Sequence, residues 1–200
     1  MATETLLRAT DVGIERGYRR LLTGVAFEVG PGQIWQLSGA NGSGKTSLLR
    51  AVAGLAHAGV TGSIERTDSC LFQGHANALK PLLSATENLI WHPSGGVDCS
   101  DAAVAQALAA VGLAGLEGLP VGNLSAGQQR RVGLARLWLA KSALWLLDEP
   151  FTALDTQGIG MLATRLDQHL EQGGGVVFSS HQPMALSRSV AVLALDDYAA

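Results

Sequence analysis

The sequence predicts a single α/β domain, and three observations lead to this prediction. The 200 residues are 47% apolar, which is enough for one compact domain and too few for two ordinary ones. Short apolar runs alternate with stretches that carry Ala and Leu at helical spacing, the pattern of a sheet covered by helices. Charged residues make up only 16% of the chain, a composition that excludes intrinsic disorder.

The predicted strands are short runs of apolar or alternating residues, and a Pro31-Gly32 turn separates two of them. In chain order they are Leu6–Ile14, Val25–Val29, Ile34–Ser38, Gly62–Glu65, Cys70–Gln73, Ala143–Leu147, Gly175–Phe178 and Val190–Leu195. The runs at Ala143 and Gly175 are apolar throughout, which is typical of buried parallel strands.

The predicted helices show apolar residues at helical spacing. In chain order they are Lys45–Ala53, Ser84–Trp91, Asp101–Val111, Ala126–Ala140 and Thr156–Gln172. Met1–Glu4 is predicted to be a loose end, and Pro93–Cys99 a loop between two helices. The helices within about residues 84–140 form a predicted helical subdomain, inserted into a single domain that spans residues 1–200.

Composition and charge exclude several classes of function. The nearest candidate for a membrane span, residues 134–147, is interrupted by Arg136 and Lys141, so no span is expected. The N-terminus lacks the basic and apolar parts of a signal peptide, so the chain is expected to stay in the cytosol. A net charge of −3 offers no basic field for nucleic acid. Cys70 and Cys99 make neither a disulfide framework nor a zinc site, and we expect two idle or buried thiols.

A glycine-rich segment between a predicted strand and a predicted helix matches the phosphate-binding pattern G-x-x-x-x-G-K-[ST]. Its glycines let the backbone curl until successive N–H groups point at phosphate oxygens. Lys45 is expected to reach the β- and γ-phosphates, and the Thr46 hydroxyl to hold Mg²⁺. The alternative is a glycine-rich turn without a ligand. The residues expected to bind nucleotide are Gly39, Ala40, Asn41, Gly42, Ser43, Gly44, Lys45, Thr46 and Ser47.

Two adjacent acids follow the buried strand at Ala143–Leu147. Asp148 is placed to bind Mg²⁺ or its water, and Glu149 to orient or deprotonate an attacking water. Carboxylates at a strand end could instead mark only its exit to solvent. The phosphate loop earlier in the chain favours the catalytic interpretation, because open α/β sheets bind ligands at their strand ends.

The stretch Leu124-Ser125-Ala126-Gly127-Gln128-Gln129-Arg130-Arg131 opens the helix at Ala126. A small polar opening before a helix makes an anion-binding N-terminus. Taken alone, the stretch predicts an ordinary capped helix with two solvated arginines.

The order of the phosphate loop, this stretch and the Asp-Glu pair resembles the nucleotide-binding domain of ATP-binding cassette (ABC) transporters. The resemblance implies a P-loop NTPase (RecA-like) ABC ATPase core with an antiparallel β subdomain and an α-helical subdomain. It also implies ATP and Mg²⁺ as cofactors, and a homodimer that sandwiches two ATP molecules. In that family Ser125, Gly127 and Gln128 close on the ATP of the other subunit. Asp155, in Thr152–Asp155, crosses the dimer interface, and His181 contacts the γ-phosphate.

Two positions depart from the family pattern. The metal-contacting glutamine expected before Ser84–Leu89 falls at His75, while a glutamine stands at Gln73. Either residue could serve the metal, since a neutral imidazole also binds metals or accepts from a metal-bound water. The aromatic residue that stacks on adenine falls near Arg16, with Tyr18 two residues later. A guanidinium plane can also stack on a base.

A narrower resemblance is to the ATP-binding subunits of the bacterial cytochrome c maturation system, the haem exporter. It rests on Gly74-His75, Leu83–Leu89, Leu124–Leu139, Leu147–Asp155 and Ser180-His181-Gln182-Pro183. It implies a peripheral protein on the cytoplasmic face of the bacterial inner membrane, paired with integral membrane subunits. None of the five histidines is expected to ligate haem.

The sequence leaves three alternative functions to consider. The first is an ABC ATPase subunit for another substrate, and the second is a soluble P-loop phosphotransferase, which has no need of residues 124–131. The third, a DNA-associated ABC ATPase, is disfavoured by the short insertion and the net charge of −3. For a transporter subunit, docking of the membrane subunits is expected near residues 73–87. Leu79, Leu82 and Leu83 are candidate contacts, although burial in the core is the expected role of any one of them.

Overall fold

The computed structural model describes residues 5–92, 99–181 and 188–200. The predicted loose end at Met1–Glu4, most of the predicted loop at Pro93–Cys99 and the Gln182-Pro183 pair lie outside the described residues. The chain forms two compact units. The sheet unit comprises residues up to Gly74, Ser142–Pro150 and Leu166–Ala200, and the helical unit comprises His75–Lys141 and Phe151–Arg165.

The sheet unit contains an antiparallel and a parallel sheet. In the part of the chain that is described, the antiparallel sheet has the order β2-β1-β4, from β1 (Leu7–Arg16), β2 (Arg19–Val29) and β4 (Val60–Arg66). The parallel sheet has the order β5-β6-β7-β3-β8. Its strands are β3 (Ile34–Ser38), β5 (Cys70–Gln73), β6 (Leu144–Leu147), β7 (Gly175–Ser179) and β8 (Ala191–Ala194). This combination confirms the predicted fold class.

Helix α1 (Lys45–Val52) follows β3 and packs in the core of the sheet unit. Its apolar positions recur at helical spacing, so one face is buried while Arg50 stays exposed. The core side chains come from both sheets and from α1, and they include Leu7, Val25, Leu37, Leu48, Leu146 and Val177. Strand β6 is buried along its whole length, as its apolar run predicts.

The helical unit is built from α2 (Ala85–Ile90), α3 (Asp101–Ala110) and α4 (Ala126–Leu139). A serine caps the N-terminus of each, where its hydroxyl accepts from a backbone N–H of the first turn. Helix α5 (Thr156–Glu171) begins among the residues of the helical unit and ends among those of the sheet unit. The core of the helical unit includes Leu89, Leu108, Val111, Leu113, Val132 and Ala135.

Several predicted boundaries are wrong for identifiable reasons. Strand β2 begins at Arg19 rather than Val25, because its polar first residues pair with β1 around a hairpin at Gly17. Short 3-10 turns at Val121–Asn123 and Leu195–Tyr198 are absent from the prediction, and the second replaces the end of the last predicted strand. Such short turns carry no hydrophobic period that a sequence could reveal.

Two composition-based expectations can be compared with the described residues. Within residues 5–92, 99–181 and 188–200, no helix combines the length and apolar character needed to cross a bilayer. Neither Cys70 nor Cys99 forms a disulfide bond, and both are partly buried. Burial raises the pKa of the Cys70 thiol to about 11, so this thiol stays protonated at neutral pH.

Candidate functional site

The predicted phosphate loop joins β3 to α1, and its glycines stand where other residues would be strained. Gly39, Gly42 and Gly44 have φ values of 145°, 83° and 104°. A side chain at Gly44 would also meet Leu22 at 3.1 Å. The backbone can therefore curl between strand and helix only with this spacing of glycines. Ala40, Asn41 and Ser43 complete the loop.

Lys45 and the first turn of α1 give the loop its positive character. The Lys45 ammonium group donates to the carbonyl oxygens of Gly39 at 2.7 Å and Ala40 at 3.0 Å, so the side chain folds back over the loop. Thr46 and Ser47 lie in the first turn of α1, whose N–H groups favour an anion. The Ser43 hydroxyl is buried and has no hydrogen-bond partner among the described residues. An oxygen-rich anion fits this arrangement.

The acid Asp148 is joined to the loop by a direct hydrogen bond. Thr46 Oγ1 donates to Asp148, lying 3.0 Å from Oδ1 and 2.9 Å from Oδ2. The Asp148 side chain is only 2% exposed, and its backbone N–H donates to the carbonyl of Gln73 at 2.8 Å. A hydroxyl beside a carboxylate is the set of oxygen donors that Mg²⁺ prefers, so these residues fit the predicted metal.

The two candidates for a further metal contact have different surroundings. Gln73 ends β5 in the sheet unit and is buried, and its Nε2 has no hydrogen-bond partner in the described part of the chain. His75 belongs to the helical unit and its side chain is exposed. Only Gln73 therefore lies in the unit that contains Asp148.

Ser179 is a site residue that the sequence analysis missed. Its hydroxyl is fully buried at the end of β7, where it accepts from the backbone N–H of Glu149 and donates to Asp148 Oδ1, both at 2.8 Å. Glu149 has a φ of 49°, a conformation that non-glycine residues rarely adopt, and the bond to Ser179 helps to hold it. The only sequence signal is a polar residue that ends an apolar strand.

Glu149 and His181 contact each other directly. His181 Nε2 lies 2.6 Å from Glu149 Oε1, and both side chains remain partly exposed. The structure thus brings together the two residues predicted to be catalytic. A partly exposed carboxylate held by an imidazole is suited to accepting a proton from water.

The hairpin with the candidates for adenine stacking lies in the same unit. Arg16 ends β1 and Tyr18 stands in the turn, and both side chains are exposed. The following strand brings Leu21 and Leu22 against the phosphate loop, with the Leu21 side chain 3.6 Å from a Cβ built at Gly44. The hairpin is therefore near the loop, and the structure leaves both stacking candidates open.

In the helical unit, the 124–131 stretch forms a capping box. The Ser125 hydroxyl accepts from Gln128 N–H at 3.2 Å, and Gln128 Oε1 accepts from Ser125 N–H at 2.9 Å. Gly127 lies in the first turn of α4. The alternative of two solvated arginines is wrong for Arg130, which is 4% exposed. Arg131 is also largely covered.

The carboxylate of Asp155 accepts hydrogen bonds from two residues of its own unit, Arg131 and Gly158. Arg131 Nη2 donates to its two carboxylate oxygens at 2.7 and 2.8 Å, and Gly158 N–H donates to Oδ1 at 2.8 Å. The hydrogen bond from Gly158, followed by the one from Arg131, lowers the pKa of Asp155. Arg131 is thus a second residue whose role the sequence analysis missed.

Comparison with known proteins gives consistent results. The family model described as ABC transporter matches residues 22–152. The cytochrome c biogenesis ATP-binding export protein CcmA 2 of Salmonella paratyphi A is 46% identical over 193 residues, which cover 90% of this chain and 91% of that protein. CcmA of Yersinia pseudotuberculosis is 44% identical over 203 residues, which cover 95% of this chain and 93% of that protein.

A solved structure supports the fold independently. A Pyrococcus furiosus protein, assigned to the ABC transporters as an ATP-binding protein, matches with a TM-score of 0.83 at 22% identity. The match covers 97% of this chain and 99% of that one.

The buried Ser179 hydroxyl gives a testable prediction. Ser179→Ala leaves the Glu149 N–H without its acceptor, so we expect the free energy of unfolding to fall by about 1–3 kcal/mol. Urea denaturation measures the change. The control Ser63→Ala, at an exposed position of β4, should stay within about 0.5 kcal/mol of the parent protein. Equal stability of the two variants would contradict the role assigned to Ser179.

Proposed function

We propose that this chain hydrolyses ATP as a subunit of a cytochrome c biogenesis export system. The premise is that the chain belongs to the ABC transporter family. The observation that carries the hydrolytic function is the hydrogen bond between Thr46 of the phosphate loop and the buried Asp148. It places oxygen donors for a divalent cation beside a loop suited to phosphates.

In this proposal the sheet unit grips the triphosphate. Backbone N–H groups of residues 39–47 bind the phosphate oxygens, and Lys45 reaches the β- and γ-phosphates. Thr46 and Asp148 would hold Mg²⁺, which would neutralise charge on the phosphates. Gln73 is the better supported of the two further metal contacts, because it is buried in the unit that contains Asp148 and its backbone carbonyl accepts from Asp148 N–H. Arg16 or Tyr18 stacks on adenine.

Glu149 is proposed as the general base. It orients the attacking water and takes its proton, while His181 holds the carboxylate within 2.6 Å and supplies a contact to the γ-phosphate. Ser179 keeps the backbone of Glu149 in its strained conformation. The water is thereby aligned with the phosphate that Lys45 holds.

A second copy of the chain completes the site in this proposal. Ser125, Gly127 and Gln128 close on the ATP held by the other protomer, and Asp155 crosses between the protomers. The bound triphosphate then joins two chains, and loss of its γ-phosphate removes the shared charge and lets them part. The intrachain pair of Asp155 with Arg131 orders this loop before the protomers meet.

Haem is the proposed cargo. The names of the CcmA relatives support an export system of cytochrome c biogenesis, and the sequence resemblance supports haem as the substrate. The chain would work as a peripheral protein on the cytoplasmic face of the bacterial inner membrane, and integral membrane subunits would carry the haem. Export of another substrate is the alternative. Haem-handling proteins among the co-purified membrane subunits would separate the two.

An exposed leucine in the helical unit lies within the segment where docking of these membrane subunits is proposed. Leu82 is 91% exposed, so the expectation that it lies in the core is wrong, while Leu79 packs against the core of the helical unit. Backbone hydrogen bonds hold both neighbours of Leu82. Gly122 N–H donates to the carbonyl of Pro81 at 2.8 Å, and Val121 N–H donates to the carbonyl of Leu83 at 2.9 Å. Leu82 thus offers one exposed apolar side chain to a membrane subunit, on backbone that these hydrogen bonds hold in place.

The first prediction of this proposal concerns the general base. Glu149→Gln should retain binding of MgATP and lower its hydrolysis on the order of 100-fold or more, because the base that accepts the proton is lost. Nucleotide affinity and phosphate release measure the two effects, and Glu65→Gln, at an exposed position of β4, is the control. Normal hydrolysis by Glu149→Gln would refute its role. Absence of MgATP binding by the parent protein would refute the whole proposal.

The second prediction separates the ABC mechanism from a phosphotransferase. Ser125→Ala and Ser84→Ala each remove a capping box from the helical unit, at a similar cost of about 1 kcal/mol. We expect only Ser125→Ala to lower ATP hydrolysis and ATP-dependent dimerisation, measured by phosphate release and light scattering, while both variants bind MgATP. Equal activity of the two variants would contradict the role of Ser125 in a partner's site.

The third prediction tests the docking surface. Leu82→Asp should weaken binding of the chain to its membrane subunits, because burial of an unpaired charge in an apolar contact is unfavourable. The fraction that co-purifies with these subunits measures the loss. Val192→Asp, at a position that is 59% exposed on β8, is the matched control. Unchanged co-purification of Leu82→Asp, with MgATP binding intact in both variants, would place the docking surface elsewhere.

A further inference from the structure

Two buried arginines of α4 hold the segment that follows β5. Arg130 Nη1 donates to the carbonyl of His75 at 3.1 Å and to Asn77 Oδ1 at 2.9 Å. Arg136 Nη1 donates to the carbonyl of Asn77 at 2.8 Å, and its Nη2 to that of Ala78 at 3.2 Å. Both side chains are 4% exposed. Hydrogen bonds from two guanidinium groups therefore fix the segment to the helix.

A glycine lies between the two arginines and makes room for Asn77. Arg130, Gly133 and Arg136 are spaced by three residues, so they lie on one side of α4. A Cβ built at Gly133 would lie 3.2 Å from Asn77 Oδ1 and 3.3 Å from Asn77 Cβ. We call this set of three residues the Asn77 socket. The next residue, Ala78, has a φ of 48°, so the chain turns sharply as it leaves the socket.

Burying the two guanidinium groups of the socket costs free energy. This cost indicates that the socket serves to position residues 75–78 and not only to stabilise the fold. Burial of a guanidinium group is unfavourable unless its donors are paired, and burial lowers the pKa of Arg136 to about 10. Apolar residues of similar volume often replace buried charges without loss of stability. The directional bonds to named carbonyls fix the segment more tightly than apolar contacts would.

The two ends of this connection both belong to the proposed reaction. Helix α4 begins directly after Ser125, which caps it, and the residues of its first turn belong to the stretch proposed to close on the partner's ATP. At the other end, residue 75 follows Gln73, the proposed metal contact, by two positions. A displacement of residues 75–78 must therefore either move α4 or break the bonds of the socket.

We propose that Arg130, Gly133 and Arg136 seat Asn77 so that residues 75–78 and α4 move together, which makes Arg130 and Asn77 positioning residues for ATP hydrolysis. The proposal rests on the proposed function, because hydrolysis is the activity that the socket serves. Neither residue touches nucleotide in this account. Both act through the segment that carries the backbone of His75 and through the helix that begins at Ser125.

The test compares steady-state ATP hydrolysis by the full chain and its variants. Arg130→Gln and Asn77→Ala should each lower kcat about tenfold and leave KM for ATP within about twofold, because misplacement slows the reaction while the phosphate loop still binds. The double variant should lose less kcat than the product of the two single losses, since both substitutions remove the hydrogen bond between Arg130 and Asn77. Arg130→Lys, which keeps the charge, should recover part of kcat.

Arg165→Gln is the matched control. Arg165 is also a partly buried guanidinium in the helical unit, and it donates to the carbonyl of Leu137 near the end of α4, away from the socket. Its loss tests whether any loosening of α4 slows hydrolysis. We expect kcat of this variant to stay within about twofold of the parent protein, by the same positional argument.

The outcomes are distinguishable. A parent protein that does not hydrolyse ATP refutes the proposed function. With an active parent, unchanged kcat in Asn77→Ala, additive losses in the double variant or an equal loss in Arg165→Gln each overturn the role of the socket. If Arg130→Gln does not fold, Gly133→Ala serves instead: it favours the helix, and its Cβ presses on Asn77. It should lower kcat by displacing Asn77, and an unchanged kcat in folded Gly133→Ala would overturn the role of the socket.

Discussion

The buried carboxylate of Asp148 is the group on which the candidate site depends. A carboxylate buried among apolar strands needs hydrogen bonds in place of the water that it loses. Thr46 and Ser179 supply two such bonds from different elements, and the backbone N–H of the same residue binds Gln73. Satisfying one charge thus joins the ends of β5, β6 and β7 to the start of α1. The requirement of a single group fixes the relative positions of the phosphate loop and the acids.

The same network explains how the neighbouring acid is kept in a strained conformation. Glu149 has a positive φ, and this cost is borne by the Ser179 hydroxyl bound to its N–H and by the contact with His181. The Glu149 side chain is partly exposed, whereas that of Asp148 stays buried. Two consecutive carboxylates can therefore have different environments, one buried beside oxygen donors for a cation and one partly exposed beside a histidine.

The sequence predicts best those features whose cause is local. The phosphate loop is predicted because its glycines meet a backbone demand within one short segment, and the cap at Ser125 because its partner is three residues away. Ser179 is missed because its partners belong to a neighbouring strand, and Arg130 is wrongly expected in solvent because the carbonyls that bind it lie far along the chain. Strand β2 is longer than predicted because pairing with β1 overrides the polar character of Arg19 and Arg20. Contacts formed only by tertiary structure leave no periodic signal.

Lys45 already has oxygen partners within its own loop, the carbonyls of Gly39 and Ala40. An ammonium group has three N–H donors, so the two that hold the loop leave a third for an arriving anion. A chain of phosphates can accept from this donor and also from the amides along the first turn of α1. The same lysine can therefore brace the curled loop before the ligand arrives and bind the ligand without giving up that brace.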